Sequence, residues 1–182
     1  MVNRSILLCS FIFLFQNCNF LQSENSRQLD SLNNELKELN NIYTNKELQL
    51  TSSLFNRIIK NKENAKHTLL VYYSADCSSC FEQLKRWEQT LLYFQGFGNN
   101  LNIKFILYTN DETIIEEELE KVNFPKSYVI YDHRNEFIKR YDHAAEYPYN
   151  TMLLDKDYKI LFIGSPLDSE SIKKHYTELI SN

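Results

Sequence analysis

Cys77 and Cys80 stand two residues apart, with Ser78 and Ser79 between them and Asp76 just before. Two thiols at this spacing can close a small disulfide ring, or open it to exchange with another disulfide. The reactive form is the thiolate, which needs surroundings that favour negative charge. The flanking residues supply them. His67 to Tyr73 is an unbroken run rich in Leu, Val and Tyr, the pattern of a strand buried on both faces. Ser74–Ala75–Asp76 interrupts it, and Phe81–Glu82–Gln83–Leu84–Lys85–Arg86–Trp87 beyond the cysteines is a good helix former. A CxxC at a helix start lies among unpaired N–H groups and at the positive end of the helix dipole.

The elements that must hold this corner follow in order. Phe81, Leu84, Trp87, Leu91 and Leu92 make an apolar stripe at helical spacing, with Trp87 a core residue, and Gly96, Gly98 and Asn99–Asn100 end the helix. Leu101 to Tyr108 alternates and then runs apolar, a second strand. Thr109–Asn110–Asp111 supplies a cap for an acidic helix from Glu112 to Val122, in which Glu116–Glu117–Glu118 is a solvated face. Ser127–Tyr131 is a third strand, Asp132–Asn135 a turn, and Phe137–Tyr141 a further short strand. Thr151–Asp155 and Ile160–Gly164 flank a turn and make a β-hairpin, and Ser165–Asn182 is a closing helix. The order is β-α-β-α-β-(β)-β-β-α, which fits a mostly parallel sheet with helices on both faces and an antiparallel hairpin at the end.

With CxxC at the first strand-to-helix corner, this order resembles the thioredoxin fold. More closely, it resembles the TlpA-like exported thiol–disulfide proteins of bacteria, of the Bacteroidetes lipoprotein type. Tyr72 to Cys80 is similar to their F-W-A-x-W-C-x-x-C corner, and Met152 to Ile160 with Gly164 to their F-L-I-D-x-x-G-x-I…G hairpin. Phe124–Pro125 to Tyr141 is similar to an insert that carries an extra strand. The resemblance covers residues 66–182. It implies an α/β fold, with a central mixed sheet flanked by helices and an N-terminal helical extension. Asp76 departs from it where an aromatic is usual, and Tyr158 where Gly is usual. The family places a cis-proline opposite the cysteines; here that position falls to Pro148 through a one-residue bulge, or to Tyr149.

The activity implied is thiol–disulfide exchange on protein disulfides outside the cytoplasm. Cys77 is the expected nucleophile and Cys80 the resolving thiol, with Asp76, Ser78, Ser79, Pro148 and Tyr149 facing or tuning the site. Asp76 puts a negative charge beside Cys77 and disfavours its thiolate, which favours the disulfide and hence a reducing role. No cofactor is called for, because electrons come from another thiol protein; the partner is itself a thiol or disulfide protein. The alternative is a redox-silent binding module with the same fold. A purely structural disulfide is a further reading of the same pair. Half a zinc site fits poorly: there is no second CxxC, and His67, His133, His143 and His175 are scattered. Copper delivery would lean on His143 alone. His133 and His143 read as surface loop residues.

The remaining residues set the context. Arg4 is the only charge before Glu24, and Ile6 to Phe15 is an apolar stretch too short to span a bilayer alone. With Cys18 just after it, residues 1–18 resemble a lipoprotein signal in which Cys18 is lipidated; ordinary secretion and an uncleaved anchor are the other readings. All three place the body outside the cytoplasm, and the lipid-anchored reading puts it in the periplasm or cell envelope. Residues 19–65 read as a helical spacer, with Leu29, Leu32, Leu36, Leu39 and Tyr43 at alternating three- and four-residue steps. That stripe suits a stalk, a helix lying on the body, or a dimer seam. Leu48 to Ile59 reads as either a packed helix or a lead-in strand, and 61–66 as a polar boundary loop before the domain at 66–182. Of 182 residues, 43% are hydrophobic and 14% aromatic, enough for a true core, and a net charge of −4 argues against nucleic acid.

Overall fold

The computed structural model describes residues 29–59, 65–75, 78–167 and 169–182. The chain divides into two compact units, Met1–Asn41 and Ile42–Asn182. In the first unit, residues 29–41 are helical throughout, the larger part of α1 (29–43), and Leu29 and Leu32 are exposed. Among the described residues, no helix is long and apolar enough to cross a membrane. The signal stretch with Cys18 lies outside the described residues.

The second unit is built on β1 (His67–Ser74), β2 (Leu101–Tyr108), β3 (Val129–Tyr131), β4 (Thr151–Leu154) and β5 (Ile160–Ile163). They form one mixed sheet in the order β3-β2-β1-β4-β5. β1 runs parallel to β2 from His67↔Leu101 to Ser74↔Tyr108, and β2 runs parallel to β3. β4 is antiparallel to both β1 and β5. Central β1 is buried at every residue except Ser74, which is why it reads as a continuous apolar run.

Because successive strand side chains point to opposite faces, β1 serves two layers. Leu69, Val71 and Tyr73 join the main core with α3 (Ser78–Gln95), α4 (Glu112–Lys121) and α6 (Glu170–Ser181). On the other face Tyr72 stacks on Phe137 of α5 (Glu136–Arg140), with ring centroids 5.6 Å apart. Leu54 and Ile58 of α2 (Ser52–Ile59) are likewise fully buried.

Several local expectations are corrected. The buried stripe of α3 is Phe81, Leu84, Trp87, Leu91 and Phe94; Leu92 is 65% exposed, since one residue past Leu91 turns it about 100° off the core face. Residues 136–140 are helix α5, not a strand. Phe137 and Tyr141 satisfy a period of two and a helical step of four equally well, and the Asp132 carboxylate decides it by accepting the Glu136 and Phe137 amides at 3.0 and 2.9 Å. Strand β3 keeps only Val129–Tyr131, because Lys126–Tyr128 forms a 3-10 turn. The closing helix starts at Glu170, where the Ser169 hydroxyl accepts the Ile172 amide, rather than at Ser165.

The lead-in is both things its sequence allowed. Glu47 bridges Lys159 as a short extended segment, and Ser52–Ile59 is helical. Leu48 donates to the Tyr158 carbonyl at 2.9 Å, Asn45 to Ile160 at 2.7 Å, and Phe55 packs edge-on against Tyr158 at 4.8 Å. The packing unit therefore begins at Ile42, ahead of the polar loop at which the sequence suggests a boundary.

Candidate functional site

The site grows from the end of β1. Beyond Ser74 the Ala75 amide donates to the Tyr108 carbonyl at 2.9 Å, so strand pairing continues one residue further before the chain turns into α3. Asp76 and Cys77 lie outside the described residues. Ser78, Ser79 and Cys80 form the first turn of α3, and Cys80 is buried, 3% exposed.

The neighbouring β4 supplies the opposite wall. The Tyr147–Pro148 peptide is cis. This loop is pinned by three hydrogen bonds to two residues, Ser165 and Tyr72. The Pro148 carbonyl accepts the Ser165 amide at 2.7 Å, the Asn150 carbonyl accepts the Tyr72 amide at 2.8 Å, and the Asn150 side-chain amide donates to the Tyr72 carbonyl at 3.1 Å. Tyr149 is buried, whereas Tyr147 is 39% exposed. A cavity of about 140 Å³ lies between the two walls, lined by Tyr73, Cys80, Gln83, Ala145, Tyr147 and Asn150 among others. It joins the second cysteine of the CxxC to the residue that precedes the cis-proline.

Behind Cys80 the polar groups are neutral. The Trp87 indole N–H donates to the Tyr73 hydroxyl at 2.9 Å, and Trp87 is itself fully buried with its ring edge-on to Phe105 at 5.2 Å. Burial pushes the Tyr73 phenol up to about 12, with the Trp87 and Asn150 hydrogen bonds only partly offsetting it. Tyr73 is therefore a fixed neutral dipole at ordinary pH and not a base. Among the described residues, no carboxylate, lysine or histidine lines this cavity. One lining atom stands out: Gln83 Oε1 is buried and accepts no hydrogen bond. Such an atom costs about 1–3 kcal/mol when nothing satisfies it.

Gln83, Tyr147, Asn150 and Tyr73 are absent from the site that the sequence suggests. A signal for Gln83 exists, since three residues past Cys80 is one helical turn and the same face. Asn150 and Tyr147 become visible only once β4 is paired with β1.

The histidines divide. His133 is exposed, with its ring bonded to Glu112 at 2.6 Å and to the Thr109 carbonyl at 3.1 Å. His143 is not a surface residue: its side chain is 8% exposed, wedged against Tyr43 at 4.8 Å and Tyr141 at 6.0 Å. Aromatic packing from the lead-in, invisible in the local sequence, covers it. Burial lowers its pKa, against a smaller upward pull from Asp142. Among the described residues, no group of three His, Cys, Asp or Glu could hold a metal ion.

A CxxC helix at the end of the central parallel strand, a cis-proline in the loop just before the adjacent antiparallel strand and a closing hairpin with a helix define the architecture. The fold is thioredoxin-like. A domain of a protein assigned as a thiol-disulfide isomerase from Cytophaga hutchinsonii superposes with a TM-score of 0.51 at 15% identity, covering 66% of this chain and 82% of that one. A protein assigned as the thiol:disulfide interchange protein DsbE of Chlorobium tepidum gives 0.50 at 13% identity, over 76% and 96%. A thioredoxin-like protein from Parabacteroides distasonis gives 0.49 at 14%, over 65% and 82%. No family model matches the sequence. No curated protein matches it either. At 13% and 15% identity the Chlorobium and Cytophaga likenesses show a shared fold.

Proposed function

We propose that this thioredoxin-like protein is a TlpA-like thiol–disulfide oxidoreductase that acts on protein disulfides outside the cytoplasm. The observation that carries the reading is the shared cavity, which sets buried Cys80 against the residue preceding cis-Pro148. In the proposed cycle the Cys77 thiolate attacks a partner disulfide. A mixed disulfide forms, and one partner sulfur leaves as a thiolate and takes up a proton. Cys80 then loses its proton and attacks Cys77 Sγ. The Cys77–Cys80 bond forms, the mixed disulfide breaks, and the second partner thiol departs. The partner gains two electrons and the CxxC loses two, which a dithiol protein restores.

Asp76 beside Cys77, and a cavity without positive charge among its described residues, both disfavour a stabilised thiolate. The pair therefore works in the reducing direction, Ser78 and Ser79 serving only as hydrogen-bond donors to sulfur. Cys18 would carry the lipid that holds the body at a membrane, with residues 19–65 between anchor and body.

The test is reduction of an oxidised protein substrate by the pre-reduced protein, repeated with Cys77→Ser and Cys80→Ser. The expected result is turnover by the wild type alone, with Cys80→Ser accumulating a mixed disulfide. Wild-type protein as inactive as both variants would leave the redox-silent binding module as the correct reading.

A further inference from the structure

We infer that His143 is an acid-sensitive latch: a proton taken up by its imidazole expels the ring from between Tyr43 and Tyr141, which frees the lead-in and loosens the stretch that brings Ala145 and Tyr147 to the Cys80 cavity. The latch is independent of the redox reading above.

The imidazole is held by packing alone. Its side chain is 8% exposed, and neither Nδ1 nor Nε2 reaches solvent or has a hydrogen-bond partner. A neutral ring tolerates this at the modest cost of unmade hydrogen bonds. An imidazolium does not. It carries two N–H donors and a charge, and an unpaired buried charge is far more costly than a neutral polar group. The surrounding groups do not compensate. Tyr43, the last residue of α1, lies 4.8 Å away between ring centroids, and the Lys46 ammonium sits 5.7 Å from the Tyr43 ring. Tyr141, which follows α5, lies at 6.0 Å, and its hydroxyl accepts the Gln49 amide at 2.8 Å. Lys46, Arg140 and Glu47 line a cleft beside these two tyrosines, and His143 is not in its wall. On β1, Tyr72 gives its hydroxyl to Asn135. Asp142 supplies the adjacent carboxylate. Its Oδ1 is 4.0 Å from Nδ1, beyond hydrogen-bond reach, and already accepts the His143 amide at 2.9 Å. The ring therefore has to leave its place to become charged.

Two segments depend on that ring. Tyr43 begins the stretch that pairs with the hairpin: the Asn45 amide donates to the Ile160 carbonyl at 2.7 Å, the Ile160 amide to the Lys46 carbonyl at 2.9 Å, and the Leu48 amide to the Tyr158 carbonyl at 2.9 Å. In the other direction the Glu146 amide donates to the His143 carbonyl at 3.2 Å, and the Tyr149 amide to the Glu146 carbonyl at 2.9 Å. This second run passes through Ala145 and Tyr147, which line the cavity with Cys80. Expulsion of one ring thus loosens an edge of the sheet and a wall of the cavity together.

The experiment is hydrogen exchange of the full-length protein at about pH 7.5 and about pH 5, corrected for intrinsic rates and read by mass spectrometry. In the wild type, the amides of Asn45, Leu48, Gln49, Glu146 and Tyr149 are expected to lose protection on acidification, by up to about thirtyfold, the excess of protonated over neutral histidine for an ordinary pKa near 6.5. The β1 amides should hold. His143→Phe keeps a ring and removes the titration, so its protection should match at both pH values. Unchanged protection in the wild type overturns the latch. An equal loss in His143→Phe overturns it too, because another group then titrates, as does a matching loss across β1, because the opening is then global. Should His143→Phe not fold, Asp142→Asn decides. It removes the carboxylate that favours the charged ring and should move the opening to lower pH; an unmoved midpoint overturns the latch.

Discussion

The two ends of the β1–β4 pair treat their polar groups in opposite ways. At the hairpin end Asp155 closes the turn completely: its carboxylate accepts the Asp157 and Lys159 amides at 2.8 and 2.9 Å, and its own amide donates to the Lys159 carbonyl at 2.9 Å. The lead-in then bonds to the outside of that turn through Asn45, Lys46 and Leu48. At the cysteine end the same two strands open into a cavity with a half-exposed tyrosine and a buried oxygen that nothing satisfies. An end where hydrogen bonds close on themselves supports the fold. At the cysteine end one buried acceptor is left without a partner instead.

The largest effect should come from the wall behind the cavity. Trp87→Ala removes a fully buried ring and the donor to Tyr73. A loss of about 3–5 kcal/mol in urea unfolding is expected. A loss under 1 kcal/mol would mean that the site end carries no core weight. At the hairpin end, Asp155→Ala removes the acceptor for two amides and should cost about 1–2 kcal/mol with no change in disulfide reduction. A change in rate there would dissolve the distinction between the ends.

Gln83→Met sharpens it further. Replacing an unsatisfied buried acceptor by an apolar group of similar shape is expected to leave stability equal or raise it by up to about 1 kcal/mol. Destabilisation above 1 kcal/mol would show that the oxygen is satisfied in the folded protein.

The smallest effect concerns the segment Asp142–Ala145, which runs from the aromatic cluster at the lead-in to the cavity wall. Burial holds His143 below its ordinary pKa of about 6.5. The unfolded chain therefore takes up a proton that the folded chain resists. The His143 contribution is complete above pH 6.5 and is lost as the pH falls below it. His143→Phe keeps a ring between Tyr43 and Tyr141 and should flatten the stability curve below the ordinary histidine pKa. Identical slopes in variant and wild type would place His143 in solvent.

The comparison also explains what the sequence disclosed. Strands β1, β2, β4 and β5 and the capped helix after Asp111 were legible because each carries its signal locally, as an apolar run, an alternation or a capping carboxylate. The segment 136–140 was not, because Phe137 and Tyr141 fit either period and Asp132, four residues upstream, arbitrates. Tyr158 departs from the family's glycine yet adopts a φ of 62°, its ring against Phe55. That compensation comes from a helix a hundred residues away in sequence. At the site, the cysteine pair announced itself by spacing. Gln83, Asn150 and Tyr147 acquire meaning only when a distant strand is laid beside β1, and no single stretch contains that information.

The most direct measurement is brief alkylation of the reduced, folded protein with iodoacetamide, read by mass spectrometry on the peptide that holds both Cys77 and Cys80. One adduct is expected, on Cys77, with Cys80 protected by its place in the first turn of α3 until the protein is unfolded. Two adducts of equal rate, or none on Cys77, would contradict a site made of one reachable sulfur and one sheltered one.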